Sequence, residues 1–170
     1  MKRISLILVA LTVLLMACTP TDGLHLGSDG KPLPRLYRIT AKDSSEIQFR
    51  VLDSVNALRE AAGLGQVSLN AKLNAAAATH SRDMSNQNRP WHFGSDGSSP
   101  IDRVVRVGYD KMMLGENISE TFETELETLA AWMDQTDTRA VILNRNAVDM
   151  GFAWKQDQNG KIWWTLLMGG

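Results

Sequence analysis

The one cysteine of the chain, Cys18, stands directly behind an apolar run: Lys2-Arg3, then Ile4 to Leu15, then Met16-Ala17-Cys18. A charged head, a greasy middle and a small residue before the cut make an export signal over residues 1–17. At twelve residues the run falls short of the ~20 that a bilayer-crossing helix needs, so the segment is expected to be removed. The 153 residues that remain contain no second thiol. No internal disulfide can form, and the fold must be held by packing alone. A chain of this length is enough for one domain with a proper core.

Leu15-Met16-Ala17-Cys18 resembles the lipobox of bacterial lipoproteins, in which the cysteine becomes the acylated N-terminus. Two or more acyl chains at Cys18 would give the stable anchoring that one chain cannot, so the expected partner here is a membrane, reached through a lipid anchor. Pro20 is not the Asp that resembles an inner-membrane retention signal. In an organism with two membranes the expectation is therefore the outer one. After processing, sixteen basic residues face nineteen acidic ones, a net charge of −3 with His neutral, and no basic patch points to nucleic acid.

Residues 18–44 read as a tether, rich in Pro and Gly, with room for a short docked stretch at Leu36 to Ile39. His25 lies in it and is given no role. From Ser45 the pattern turns helical: Ile47, Val51, Leu52, Val55 and Leu58 share a face, Ser45 and Gln48 form a capping-box pair, and Gly63 ends the helix. A second helix starts near Asn70, with Leu73, Ala76, Ala77, His80 and Met84 on one face. A Gly/Ser/Asp loop from Arg89 runs to Ser99-Pro100, which caps a short helix ended by Gly108. Leu114 to Ser119 is extended, and Leu126, Leu129, Trp132 and Met133 mark another helix, with acidic residues at its start. Two strands, Asp149 to Lys155 and Lys161 to Met168, flank an Asn159-Gly160 turn whose residues need positive φ. Helices on a small antiparallel sheet make an α+β domain over residues 45–170.

Several motifs in this order resemble the bacterial branch of the CAP superfamily, or SCP domains. They are Leu52 to Arg59 with Gly63-Leu64, Ala77 to Met84, His92 to Pro100 with Arg103 and Gly108-Tyr109, Gly115-Glu116-Asn117-Ile118, Trp132-Met133, Arg139 to Asn144, and Trp163-Trp164-Thr165. The resemblance runs from about Ile47 to Gly170 and implies an α-β-α sandwich. It also implies a cleft that gathers His and Glu and, in some members, binds a divalent metal. By motif, His92 and Glu116 occupy that cleft. The Gly-His pair of many bacterial members reads Asp137-Thr138 here, so a second cleft histidine is replaced by Thr138. Two ligands make a weak divalent-metal site where catalytic zinc usually has three. No cofactor is expected beyond such weak metal binding, although Asp134 or Asp137 would add a carboxylate if its loop turned inward.

For His92 and Glu116 two readings stand side by side: a ligand-binding pair, or a hydrogen bond that fixes the loop to the Gly-Glu-Asn segment. His80 reads as a buried, satisfied core histidine. Asn56, Arg59, Arg103 and Asn117 read as ties between loops and helix ends. Met112-Met113 reads as core filling or as an adaptable groove wall. Trp91 and Trp132 share that ambiguity, and strand alternation sends one of Trp163 and Trp164 inward. No nucleophile motif, His-Glu-x-x-His or phosphate loop occurs. The expectation is a non-catalytic binding module of the cell envelope, meeting a small apolar ligand, a wall component or a protein partner. The alternative is a metal-dependent envelope hydrolase using His92 and Glu116.

Overall fold

The computed structural model describes residues 36–170; the expected signal segment, Cys18, His25 and the expected tether as far as position 35 lie outside them. The first helix, α1 (Ala41–Ala61), begins four residues earlier than the hydrophobic pattern indicates. Thr40 caps it, accepting from the Asp43 N–H, while Asp43 reaches back to the Thr40 N–H. The expected Ser45–Gln48 box does not form. Ser45 Oγ donates to the Lys42 carbonyl and Gln48 Nε2 to the Phe152 carbonyl. Gly63 takes φ +70° just beyond the helix, where a Cβ would be strained. The folded body therefore starts before residue 45, because Leu36 to Ile39 is docked. Ile39 N–H donates to Gln156 Oε1, Gln156 Nε2 donates to the Tyr37 carbonyl, and the Tyr37 hydroxyl meets Glu125.

After α1 come β1 (Ser68–Leu69), α2 (Ala71–Gln87), α3 (Pro100–Arg106), β2 (Met113–Thr121), α4 (Glu125–Asp134), α5 (Thr136–Ile142), β3 (Asp149–Gln156) and β4 (Ile162–Gly169). Asn70 caps α2, Ser99 with Asp102 forms a capping box on α3 behind Pro100, and Thr124 with Glu127 does the same on α4. The strand order is β1-β3-β4-β2. Pairing is antiparallel except between β1 and β3, so the sheet is mixed rather than wholly antiparallel. Two-residue β1 and seven-residue α5 are too short to leave a periodic signal. Because β1 covers only the start of β3, side chains finish the edge: Phe152 N–H donates to Asn74 Oδ1, and Gln48 takes the Phe152 carbonyl.

Alternation along β4 builds two cores. Ile162, Trp164, Leu166 and Met168 meet Phe152, Met150 and the apolar faces of α1, α4 and α5. On the other face, Leu167 and Ala153 meet Leu73, Ala76 and Ala77 of α2 and Val104 of α3. This is the three-layer α-β-α sandwich that the motifs imply. With helices on both faces, Trp163 and Trp164 are each fully buried rather than one of them. At the β3–β4 turn only Gly160 has positive φ, +95°; Asn159 does not. The turn is longer than a two-residue hairpin, with Gly160 N–H donating to the Asp157 carbonyl and Asp157 N–H to the Lys161 carbonyl. Among the described residues, no helix is long and apolar enough to cross a membrane.

Candidate functional site

Register places Glu116 opposite Leu167 on β4 and its neighbour Asn117 opposite Leu166. Glu116 thus points to the α2–α3 layer and Asn117 to the α4–α5 layer. Three elements converge on the Glu116 carboxylate. His92, from the loop between α2 and α3, brings Nδ1 to 2.9 Å of Oε1. Arg103, from α3, donates Nη2 to Oε2 at 2.7 Å. His80, from α2, brings Nε2 to 3.7 Å of Oε1. Glu116 and Arg103 have side chains only 2% and 4% exposed, whereas His92 is half exposed. The second Arg103 nitrogen, Nη1, donates to the carbonyls of His92 and Ser98, so one guanidinium ties the loop to the carboxylate.

His80 and Arg103 thus belong to the cluster, although periodicity marks the first only as a core position and residue type marks the second only as a tie. His80 is fully buried, and its Nε2 lies 3.0 Å from the Trp91 carbonyl. A carbonyl only accepts, so Nε2 carries the proton and Nδ1, which has no partner, is the bare nitrogen of a neutral ring. Burial pushes the His80 pKa below the usual 6.5, against the upward pull of Glu116. The Glu116 interaction follows from the fold rather than the local sequence, since only tertiary packing brings residues 80, 92, 103 and 116 together.

Thr138 does not join them. Its hydroxyl donates to the Trp132 carbonyl at 2.6 Å, and its own carbonyl accepts from Asn117 Nδ2. Helix α5 reaches β2 from the Asn117 side, where a Cβ on Gly115 would meet Val141, and that is the sheet face opposite Glu116. Asp137 is exposed at the start of α5, and Asp134 is exposed on the same layer. No group of three or more His, Cys, Asp or Glu suited to a metal ion occurs among the described residues. With both Glu116 oxygens already engaged and Thr138 turned away, the donor set does not fit a resident divalent metal.

The remaining expectations sort by contact. Asn56 brackets both backbone groups of Val67, and Arg59 is buried while donating to the carbonyls of Gly65, Ile142, Asn144 and Ala147. Trp132 is core; Trp91 is half-buried, bonded to Gln87 and stacked under Arg89. Met113 packs on the smaller core, whereas Met112 is 70% exposed and fills nothing. A second feature is silent in the sequence. Between α1 and α4 runs a groove of about 580 Å³, walled by Ala57, Leu58, Leu126, Leu129, Ala130 and Met133. Small residues on α1 open it, a signal that helical periodicity reports only as a packing face.

The profile of the CAP family, the cysteine-rich secretory protein family, matches residues 52–168. The chain is 30% identical to the protein YkwD of Bacillus subtilis (strain 168) over 125 residues, 74% of this chain and 48% of the relative. It thus spans about half the length of the curated relative it matches. Among solved structures it is similar to an extracellular SCP-domain protein of Bacillus anthracis str. Ames, with a TM-score of 0.68 and 20% identity over 78% of this chain and 44% of that one. It is likewise similar to an outer surface protein of Borrelia burgdorferi, with a TM-score of 0.65 and 15% identity over 75% of this chain and 94% of that one. At these identities the two structures speak for the fold.

Proposed function

The chain belongs to the CAP family, the cysteine-rich secretory proteins, and from that premise we propose that it is a binding module held at the cell envelope by acylated Cys18. It takes a small apolar molecule into the α1–α4 groove. The observation that carries this reading is the groove itself: about 580 Å³ is the size of a small-molecule site, and its walls are mostly apolar, with Ser54 and Asp134 as the polar points. The His92–Glu116 pair then braces the loop against β2. Export is supported by the Lys2-to-Cys18 pattern and agrees with the names of two structural relatives, one an outer surface protein and one extracellular.

Native mass spectrometry of protein purified from its own envelope tests the groove. A retained apolar molecule is expected, and Ala57→Trp, which fills the groove from α1, should lose it. An empty wild-type protein, or equal retention in both, overturns the reading. The anchor is tested separately: Cys18→Ser should move the chain out of the membrane fraction, and its persistence there after a high-salt wash would refute acylation.

One observation favours a second reading, an envelope hydrolase. Nδ1 of His92 is held by Glu116, which leaves Nε2 toward solvent as a general base would stand. Against it, no hydroxyl or thiol hydrogen-bonds to His92 among the described residues. A hydrolytic activity abolished by His92→Ala in a variant that still folds would establish it.

A further inference from the structure

On the layer opposite the α1–α4 groove, and independent of that reading, a polar cavity of about 310 Å³ opens between α2 and α3. We propose that it binds the phosphate ester of a small polyol, such as a glycerol phosphate unit.

The walls carry three guanidiniums against two carboxylates: Arg82, Arg103 and Arg106 with Asp83 and Asp96. The two carboxylates are in different states. Asp96 is already neutralised, because Arg106 Nη1 donates to its Oδ2 at 2.6 Å and the Ser98 N–H to its Oδ1. The Ser98 hydroxyl and N–H, and after them Arg106, hold its pKa far below the usual carboxylate range. Among the described residues Asp83 is used through Oδ2 only, by the Ser95 N–H, so its other oxygen has acceptor capacity to spare. Arg82 makes no ion pair among the described residues; its one side-chain bond is a 3.3 Å contact to Thr79.

An uncompensated guanidinium beside an underused carboxylate suits a ligand with both kinds of group. The phosphate oxygens take Arg82 and the outer face of Arg106 in charge-assisted bonds, while hydroxyls donate to Asp83 and exchange bonds with Asn86. A bare anion would leave Asp83 unanswered, and a neutral sugar would leave Arg82 so. The wall is also rigid: Gly94 N–H donates to the Ser98 carbonyl, and Gly97 turns the loop at φ +78°. Binding therefore needs little ordering. Arg103 has a further consequence. It lines this cavity on one side and holds Glu116 and the His92 carbonyl on the other, so occupancy should be felt at His92.

Calorimetric titration of the purified full chain with sn-glycerol 3-phosphate tests the proposal. Saturable binding is expected, weakened about tenfold by Arg82→Gln, the scale of one charge-assisted bond. Arg82 holds no other element in place, so an unchanged melting temperature will show that this variant is folded. Glycerol and inorganic phosphate should each bind at least about tenfold more weakly than the ester. Absence of saturable heat, or equal binding by Arg82→Gln, overturns the site, and equal affinity for inorganic phosphate overturns the polyol. Vesicles distinguish the sources. Retention of the Cys18→Ser chain on phosphatidylglycerol but not phosphatidylcholine, lost in Arg82→Gln, identifies a lipid headgroup. Binding of the soluble ester without such retention identifies a free one.

Discussion

The two faces of the sheet are covered by different means. Under α1, α4 and α5 the sheet presents Phe152, Trp164, Ile162 and Leu166, with Phe152 and Trp164 stacked at 5.4 Å. Under α2 and α3 the apolar core is small and alanine-rich. That face is held instead by a buried hydroxyl pair, Ser81 with Thr165 at 2.8 Å, and by the Arg103–Glu116–His80 cluster. Dispersion tolerates a gap of one methylene at modest cost, but a buried charge tolerates no missing partner. The polar face should therefore be the brittle one.

The largest effect is expected at Arg103. Arg103→Met keeps the stem and removes the charge, leaving a carboxylate with 2% exposure to face the core with only the His92 hydrogen bond and, at 3.7 Å, the neutral His80 ring. Removing one partner of a buried pair costs about 3–5 kcal/mol. Adding Glu116→Gln should return a large part of that, because no charge is then stranded. On the aromatic face, Ile142→Val should cost only about 1 kcal/mol. Urea unfolding of the four chains measures all three differences. Similar losses for Arg103→Met and Ile142→Val would erase the contrast between the faces.

Backbone approach sharpens it next. A Cβ on Gly151 would sit 2.4 Å from the Leu73 backbone carbon of α2, whereas one on Gly115 would sit 2.7 Å from a Val141 side-chain carbon of α5. Backbone cannot rotate aside and a side chain can. Gly151→Ala should cost about 3 kcal/mol and Gly115→Ala about 1 kcal/mol, the upper and lower ends for overpacking. If Gly115→Ala proves the more damaging in the same unfolding assay, α2 is less closely seated on β3 than the Leu73–Gly151 approach implies.

The same contrast explains how much could be read from the sequence. The aromatic face was legible: Ile47, Val51 and Val55 recur at helical spacing, Leu129 and Trp132 do so again, and Asn159-Gly160 marks the turn of the β3–β4 hairpin. The motifs from Leu52 to Thr165 implied the three layers, and the family comparison agrees. Ser45 was legible as a cap only in type, since Thr40 and Asp43 satisfy the same rule earlier and win because Tyr37 and Ile39 are docked by Gln156. The polar face was legible in its members but not in its assembly. His92 and Glu116 could be named by motif, yet Arg103 and His80 reach Glu116 only through the register of β2 against β4, a long-range fact with no local pattern. Thr138 misleads for the same reason: its place in the motif does not say which sheet face α5 covers.

The smallest expected effect is a pH dependence confined to the polar face. His80 is neutral in the folded chain because burial holds its pKa below 6.5, while Glu116 pulls it up and Arg103 pushes it down. Unfolded, the ring recovers its ordinary affinity for protons. Below about pH 6.5 the unfolded state therefore binds more protons than the native one, and stability must fall as pH falls. About a unit above that value neither state carries the proton and the contribution is flat. If the native ring stays neutral, the loss between pH 7.5 and 5.5 reaches about 1.4 kcal/mol, the cost of protonating one free imidazole a unit below its pKa. Glu116, Arg103 and Asp83 face the same ring. The share of His80 is the difference between wild type and His80→Gln, whose amide can still donate to the Trp91 carbonyl and cannot titrate. Urea midpoints at pH 7.5, 6.5 and 5.5 for both chains give that difference. A flatter profile in His80→Gln is the expected result. Parallel profiles would mean that His80 takes up its proton inside the fold, so that the Glu116 carboxylate outweighs burial and the polar face holds a full ion triad.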